Sequence, residues 1–179
     1  MKSFSLCSVD KIVDSPNYDA RPTGTPIDAL IIHAISLPPA NFGNDFVESF
    51  FTNQLESDKH PYFKEIQHLR VSAHFYIKRC GTITQFVNPE SRAWHAGESV
   101  FTGVTCVNDF SIGIEIEGCD TLPFEPIQYS QLISLTKELM CAYPLILKSR
   151  VVGHSDISPG RKTDPGPCFD WEGYLVEIQ

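Results

Sequence analysis

From Ala29 to Ile35 the chain reads ALIIHAI, an apolar run broken only by His33. Strand side chains alternate between two faces, so a run apolar at nearly every position predicts a central strand covered on both sides. Residues 111–117 (SIGIEIE) alternate strictly, placing Ile112, Ile114 and Ile116 on one face and Gly113, Glu115 and Glu117 on the other. Residues 71–78 (VSAHFYIK) and 82–87 (TITQFV) flank a short turn containing Gly81, which predicts a hairpin with His74, Tyr76 and Lys78 on its polar face. Another short strand is expected in RVVG, ending at Gly153. Leu132, Leu135, Leu139 and Met140 have helical spacing behind Pro126, predicting a helix over 126–143; a shorter one is expected over 44–52. Strands mixed with helices give an α/β (α+β) fold class, a sheet flanked by helices.

Composition narrows the function classes. With 179 residues, no internal repeat and no linker, the chain is expected to be a single domain spanning 1–179. Hydrophobic residues at 42% and charged residues at 20% exclude a disordered chain. A net charge of -8 with scattered basic residues repels a nucleic-acid backbone, so no nucleic-acid partner is expected. The first residues are broken by Ser, Asp and Lys before an apolar segment forms, and no run approaches membrane-spanning length; a cytoplasmic protein without a membrane partner is expected. Six cysteines without a C-x-x-C pair suit buried or incidental reduced thiols. With no heptad or interface stripe, a monomer is the default.

Candidate chemistry gathers at strand ends. His33 reads either as a core histidine or as a ligand. His154 follows the RVVG strand, and Asp164 lies in the stiff, charged stretch GHSDISPGRKTDPGP. A catalytic zinc takes three nitrogen or oxygen ligands and keeps one position open, a set that His33, His154 and Asp164 could supply. D-P-G is equally a plain turn. A ferrous site built on His154 and Asp156 competes, although no histidine follows to complete it. Glu115 and Glu117 read as a solvated strand face or as a general base, with Gly113 marking a close approach. Arg161 and Lys162 read as surface charges or as oxyanion partners. Trp94 and His95 read as core residues or as a ligand platform.

Taken together, IIHAISLPP, HLRVSAHFYIKRCGTITQFV, RAWHAGES, NDFSIGIEIEG and GHSDISPGRKTDPGPCFDW resemble the zinc N-acetylmuramoyl-L-alanine amidases, in order over about residues 16–171. The resemblance implies a mixed central sheet flanked by helices, related to phage amidases and peptidoglycan recognition proteins, with a zinc cleft at one end. It implies one zinc held by His33, His154 and Asp164, a general base at Glu115 and a transition-state stabiliser at Lys162. Arg70, His74, Trp94 and His95 become candidate substrate contacts, Arg70 because its fork suits a stem-peptide carboxylate. Recognition proteins often carry Cys where this chain has Asp164, which points to the cytosolic recycling branch and an anhydro-muropeptide substrate. Two departures stand out: Ala34 replaces a frequent Asn, and residues 103–107 lack a basic residue. A zinc-free muropeptide-binding module and a non-haem ferrous oxygenase are the alternatives.

Overall fold

A computed structural model describes residues 6–178. The strands are β1 (Lys11–Ile12), β2 (Tyr18–Ala20), β3 (Ala29–Ile35), β4 (Phe75–Ile77), β5 (Ile83–Gln85), β6 (Ser91–Ala93), β7 (Val100–Phe101), β8 (Val104–Thr105), β9 (Ser111–Glu117) and β10 (Val151–Gly153). The helices are α1 (Phe46–Phe51), α2 (Pro61–Ile66), α3 (Pro126–Ala142), α4 (His154–Ile157) and α5 (Trp171–Glu177). The central sheet runs β1-β5-β4-β9-β3-β10, while β2 with β6 and β7 with β8 form separate two-stranded ribbons. The strands β4, β9, β3 and β10 are mutually parallel; β5 is antiparallel to β4 and parallel to β1, so the sheet is mixed.

Alternation explains the two layers. Leu30 and Ile32 of β3 join Ile112, Ile114 and Ile116 of β9 in a core closed by Leu132, Leu135 and Leu139 of α3 and Tyr174 of α5. On the opposite face Ile31 packs with Ala96, Val107, Phe110 and Ile157, and Tyr76 packs with Phe50, Phe51 and Phe63 of α1 and α2. The strand β3 is therefore covered on both sides, as its apolar run requires. Helix α3 is anchored at its start by Gln128, whose side chain accepts from Glu125 N at 2.9 Å and donates to the carbonyls of Ile77 and Glu117.

The expected hairpin forms, β4 antiparallel to β5, but its extent and burial differ from expectation. Its strands are only three residues each, and the face expected to be polar is buried: His74 and Tyr76 are 0% exposed because α1, α2 and the β2–β6 ribbon side of the molecule close over them. Lys78 reaches Asp45 and Glu48 at the edge of that cover. Helix α2 was not foreseen; at six residues it is too short for a period, although His60 caps it and Pro61 opens it. Glu117 is no solvated carboxylate either, since its two oxygens accept from Gly43 N and Arg79 N at 2.6 and 2.8 Å. All six cysteines are free as expected, yet none is buried. Among the described residues no helix is long and apolar enough to cross a membrane.

Candidate metal centre

The site is built by strand register. Across one sheet face, His33 pairs with Glu115, Glu115 with Tyr76 and Tyr76 with Thr84. Gly153 pairs with Ile32 on the other side of β3, so the next residue, His154, comes level with His33 as β10 ends and α4 begins. Asp164 arrives from the stiff loop. Its carbonyl accepts from Ser155 N at 3.0 Å, fastening the loop to α4. Gly166 turns the chain with φ +87°, and a Cβ there would meet the Cα of Asp120 at 2.7 Å, so glycine is required both by conformation and by space.

Three atoms converge. His33 Nδ1 lies 2.9 Å from His154 Nδ1, His154 Nδ1 lies 3.1 Å from Asp164 Oδ2, and His33 Nδ1 lies 3.3 Å from the same oxygen. Hydrogen bonding on the far side of each ring decides what these atoms offer. His154 Nε2 lies 3.1 Å from the Ala96 carbonyl, which only accepts, so Nε2 carries a proton and, in the neutral ring, Nδ1 keeps its lone pair. Ser111 Oγ donates to the Val107 carbonyl at 2.6 Å and so accepts from His95 Nε2; His95 Nδ1 then accepts from His33 Nε2 at 2.9 Å, leaving His33 Nδ1 bare. Burial lowers the His33 pKa to about 4, with Asp164 opposing, so the ring is neutral at pH 7. With both rings neutral in these tautomers, two nitrogen lone pairs and a carboxylate oxygen face one another. A cation satisfies such a nest, and ligands about 2.0–2.1 Å from a tetrahedral ion stand roughly 3.3 Å apart, close to the spacing found. His33, His154 and Asp164 could hold a metal ion.

Beside the nest lies Glu115, 8% exposed, whose Oε2 has no hydrogen-bond partner among the described residues. Burial first, then the charge of Asp164, pushes its carboxyl well above the usual range, while Lys162 pulls it down. A cleft of about 660 Å³ opens over these groups. Glu115, His154, Asp164 and Lys162 line it, and Leu37, Phe50, Tyr62, Ile66 and Trp94 add an apolar wall. A charged reactive end and an apolar, aromatic flank suit an amphiphilic ligand.

The remaining expected residues divide. Trp94 and His95 line the cleft. Arg70 does not: its guanidinium folds back to donate to the carbonyls of Gln67 and Leu69, and only its chain neighbours Leu69 and Val71 reach the cleft wall. His74 is wholly buried, with Nδ1 accepting from Gly113 N at 2.9 Å, and cannot touch a ligand there. The close approach signalled by Gly113 is that of His95, since a Cβ on Gly113 would lie 2.6 Å from the ring's Nδ1. Asp156 accepts from Gly153 N at 2.7 Å, and Asp164 rather than Asp156 joins His154 in the nest, which removes the ferrous pair. Arg161, ambiguous in sequence, ties the wall together by donating to the carbonyls of Ala96 and Glu98. Asn108 and Ser111 carried no signal beyond strand and loop propensity.

A mixed sheet ending in a two-histidine, one-carboxylate nest with an unpaired carboxylate beside it has the groups that metal-assisted hydrolysis uses. The profile of the N-acetylmuramoyl-L-alanine amidase family matches residues 23–167, and the chain belongs to that family. It is 53% identical over 167 residues to the 1,6-anhydro-N-acetylmuramyl-L-alanine amidase AmpD of Haemophilus influenzae, covering 93% of this chain and 91% of the relative. A crystal structure of a selenomethionine AmpD derivative superposes with a TM-score of 0.94 at 46% identity, covering 98% of this chain and 97% of the other. The Escherichia coli amidase AmiD, solved with anhydro-N-acetylmuramic acid-L-Ala-D-γ-Glu-L-Lys, matches with a TM-score of 0.65 at 32% identity, over 87% of this chain and 59% of its own.

Proposed function

We propose that this protein is a zinc amidase that cleaves the amide between 1,6-anhydro-N-acetylmuramic acid and the L-alanine of the stem peptide, in the cytosolic recycling of cell-wall fragments. The observation that carries the reading is the convergence of His33, His154 and Asp164 beside the unpaired carboxylate of Glu115. Membership of the amidase family and the substrate held by AmiD support the choice of bond.

Zinc bound in the nest supplies Lewis-acid chemistry and makes water a nucleophile near neutral pH. The chain's own groups do the rest. Glu115 takes a proton from the water as its oxygen bonds to the amide carbon, then returns it to the alanine nitrogen as the carbon–nitrogen bond breaks. Lys162, which also lines the cleft, offers its ammonium to the developing oxyanion. The apolar wall from Leu37 to Trp94 receives the less polar part of the muropeptide. With Arg70 folded onto its own backbone, the stem-peptide carboxylates are left to other groups.

The test is incubation with purified anhydro-muropeptide and, separately, with intact murein, following released peptide by mass spectrometry. Free stem peptide from the anhydro-muropeptide is expected, faster than from murein. Binding without release would make the protein the non-catalytic binding module.

A further inference from the structure

His95 lines the cleft, yet both of its ring nitrogens are already engaged inside the protein. Nδ1 lies 2.9 Å from His33 Nε2 and Nε2 lies 3.3 Å from Ser111 Oγ, whose own hydrogen points 2.6 Å to the Val107 carbonyl. A ring so occupied has no nitrogen left for a ligand. Its peptide is fixed as well: Asn108 Oδ1 accepts from both His95 N and Ala96 N, at 3.2 and 2.8 Å. The Ala96 carbonyl then receives His154 Nε2. One dipeptide therefore presents an acceptor to the rear of each histidine of the nest, a side-chain nitrogen for His33 and a carbonyl for His154. Arg161 does not disturb this order; its nearest approach to His154 Nε2 is 3.5 Å, against 2.6 and 2.7 Å to the carbonyls it serves.

We propose that His95, oriented by Ser111, is a positioning residue rather than a substrate contact: it fixes His33 as the tautomer whose Nδ1 is bare and so sets the affinity of the nest for its ion. The direction of the relay is settled at its far end. The Val107 carbonyl cannot donate, so each hydrogen along Ser111, His95 and His33 points away from the nest. Without the acceptor on His95, His33 gains nothing from protonation at Nε2 and its two tautomers compete, while the ring loses the contact that holds its plane. Gly113 makes the relay possible, because any Cβ there would occupy the space of the His95 ring. Removing such a partner behind a metal-binding histidine costs about 10- to 100-fold in metal affinity.

The inference rests on the metal-nest reading, so wild-type protein is the first arm. Zinc affinity is measured by competition with a chromophoric chelator for wild type, His95→Phe, His95→Asn and Ser111→Ala, alongside thermal unfolding of each metal-free protein and the visible spectrum of each cobalt-loaded one. Phe keeps a ring without an acceptor, whereas Asn returns an oxygen near the place of Nδ1. Expected are an affinity loss of about 10- to 100-fold in His95→Phe, substantial recovery in His95→Asn and a several-fold loss in Ser111→Ala, with altered cobalt bands in the weakened variants. Tight zinc in wild type with unchanged affinity in both His95→Phe and Ser111→Ala overturns the inference and leaves the nest standing; absence of tight metal in wild type overturns the nest itself. Should His95→Phe fail to fold, Ser111→Ala decides: weakened zinc at unchanged metal-free stability supports the relay, and unchanged zinc removes it.

Discussion

Glu115 and Lys162 both line the cleft, and the charge of Lys162 acts on Glu115, which makes their substitutions separable. Glu115→Gln preserves shape and the metal ligands but cannot accept a proton. It should keep its zinc and lose about 10²- to 10⁴-fold in turnover, read from peptide release beside metal content. Lys162→Ala removes an oxyanion donor and should cost about 10²- to 10³-fold in kcat. It also removes the cation that lowers the Glu115 pKa. Because the base works only when ionised, the acid limb of the pH–rate profile should move to higher pH in Lys162→Ala; a limb that stays put, or moves down, contradicts the pairing. At this scale the sequence was readable where chemistry narrows residue choice. His33 stood out because an imidazole is foreign to an apolar strand, and Glu115 because strict alternation placed it opposite the isoleucines. Arg70 and His74 misled for the opposite reason: nothing local reveals that one guanidinium caps its own backbone or that Arg21, His95 and the β6 backbone enclose the other side chain.

Among the elements, the loop from α4 to Asp164 answers for the site and α3 for the fold. Gly166→Ala sets a Cβ against the backbone of Asp120 at a residue with φ +87°, so the loop must shift and carry Asp164 with it. Zinc affinity should fall more than thermal stability. Leu135→Ala, wholly buried in α3, should do the reverse, losing about 2–5 kcal/mol of stability with zinc stoichiometry intact. The two variants measured side by side by chelator competition and thermal unfolding check both statements. The long elements were legible: β3, β9 and most of α3 lie where apolar spacing put them. The hairpin was legible too, since β4 pairs antiparallel with β5, but its short extent and α2 were not, because segments of three to six residues contain less than two periods of their own pattern. The row from Thr84 through Tyr76 and Glu115 to His33 is a property of register between distant strands, which no single segment contains.

The whole molecule should respond to acid through its buried imidazoles. Burial first, and then the charge of Arg21, lowers the His74 pKa from 6.5 to about 3. The folded state thus favours the neutral ring, and the unfolded chain binds a proton first as pH falls. This contribution to stability is complete above pH 6.5 and is lost progressively as pH falls toward 3. Thermal unfolding of the metal-free protein from pH 7 to 4 should show a falling midpoint, with a shallower slope in His74→Gln; equal slopes contradict the assignment. At the same scale, sheet, nest and cleft form one device for cutting an amide. The most direct test is peptide release from anhydro-muropeptide by protein as purified, after chelator and after zinc is restored. The account predicts release that is abolished by the chelator and recovered with about one zinc per chain; full release by metal-free protein, or none by the zinc-restored enzyme, would contradict it.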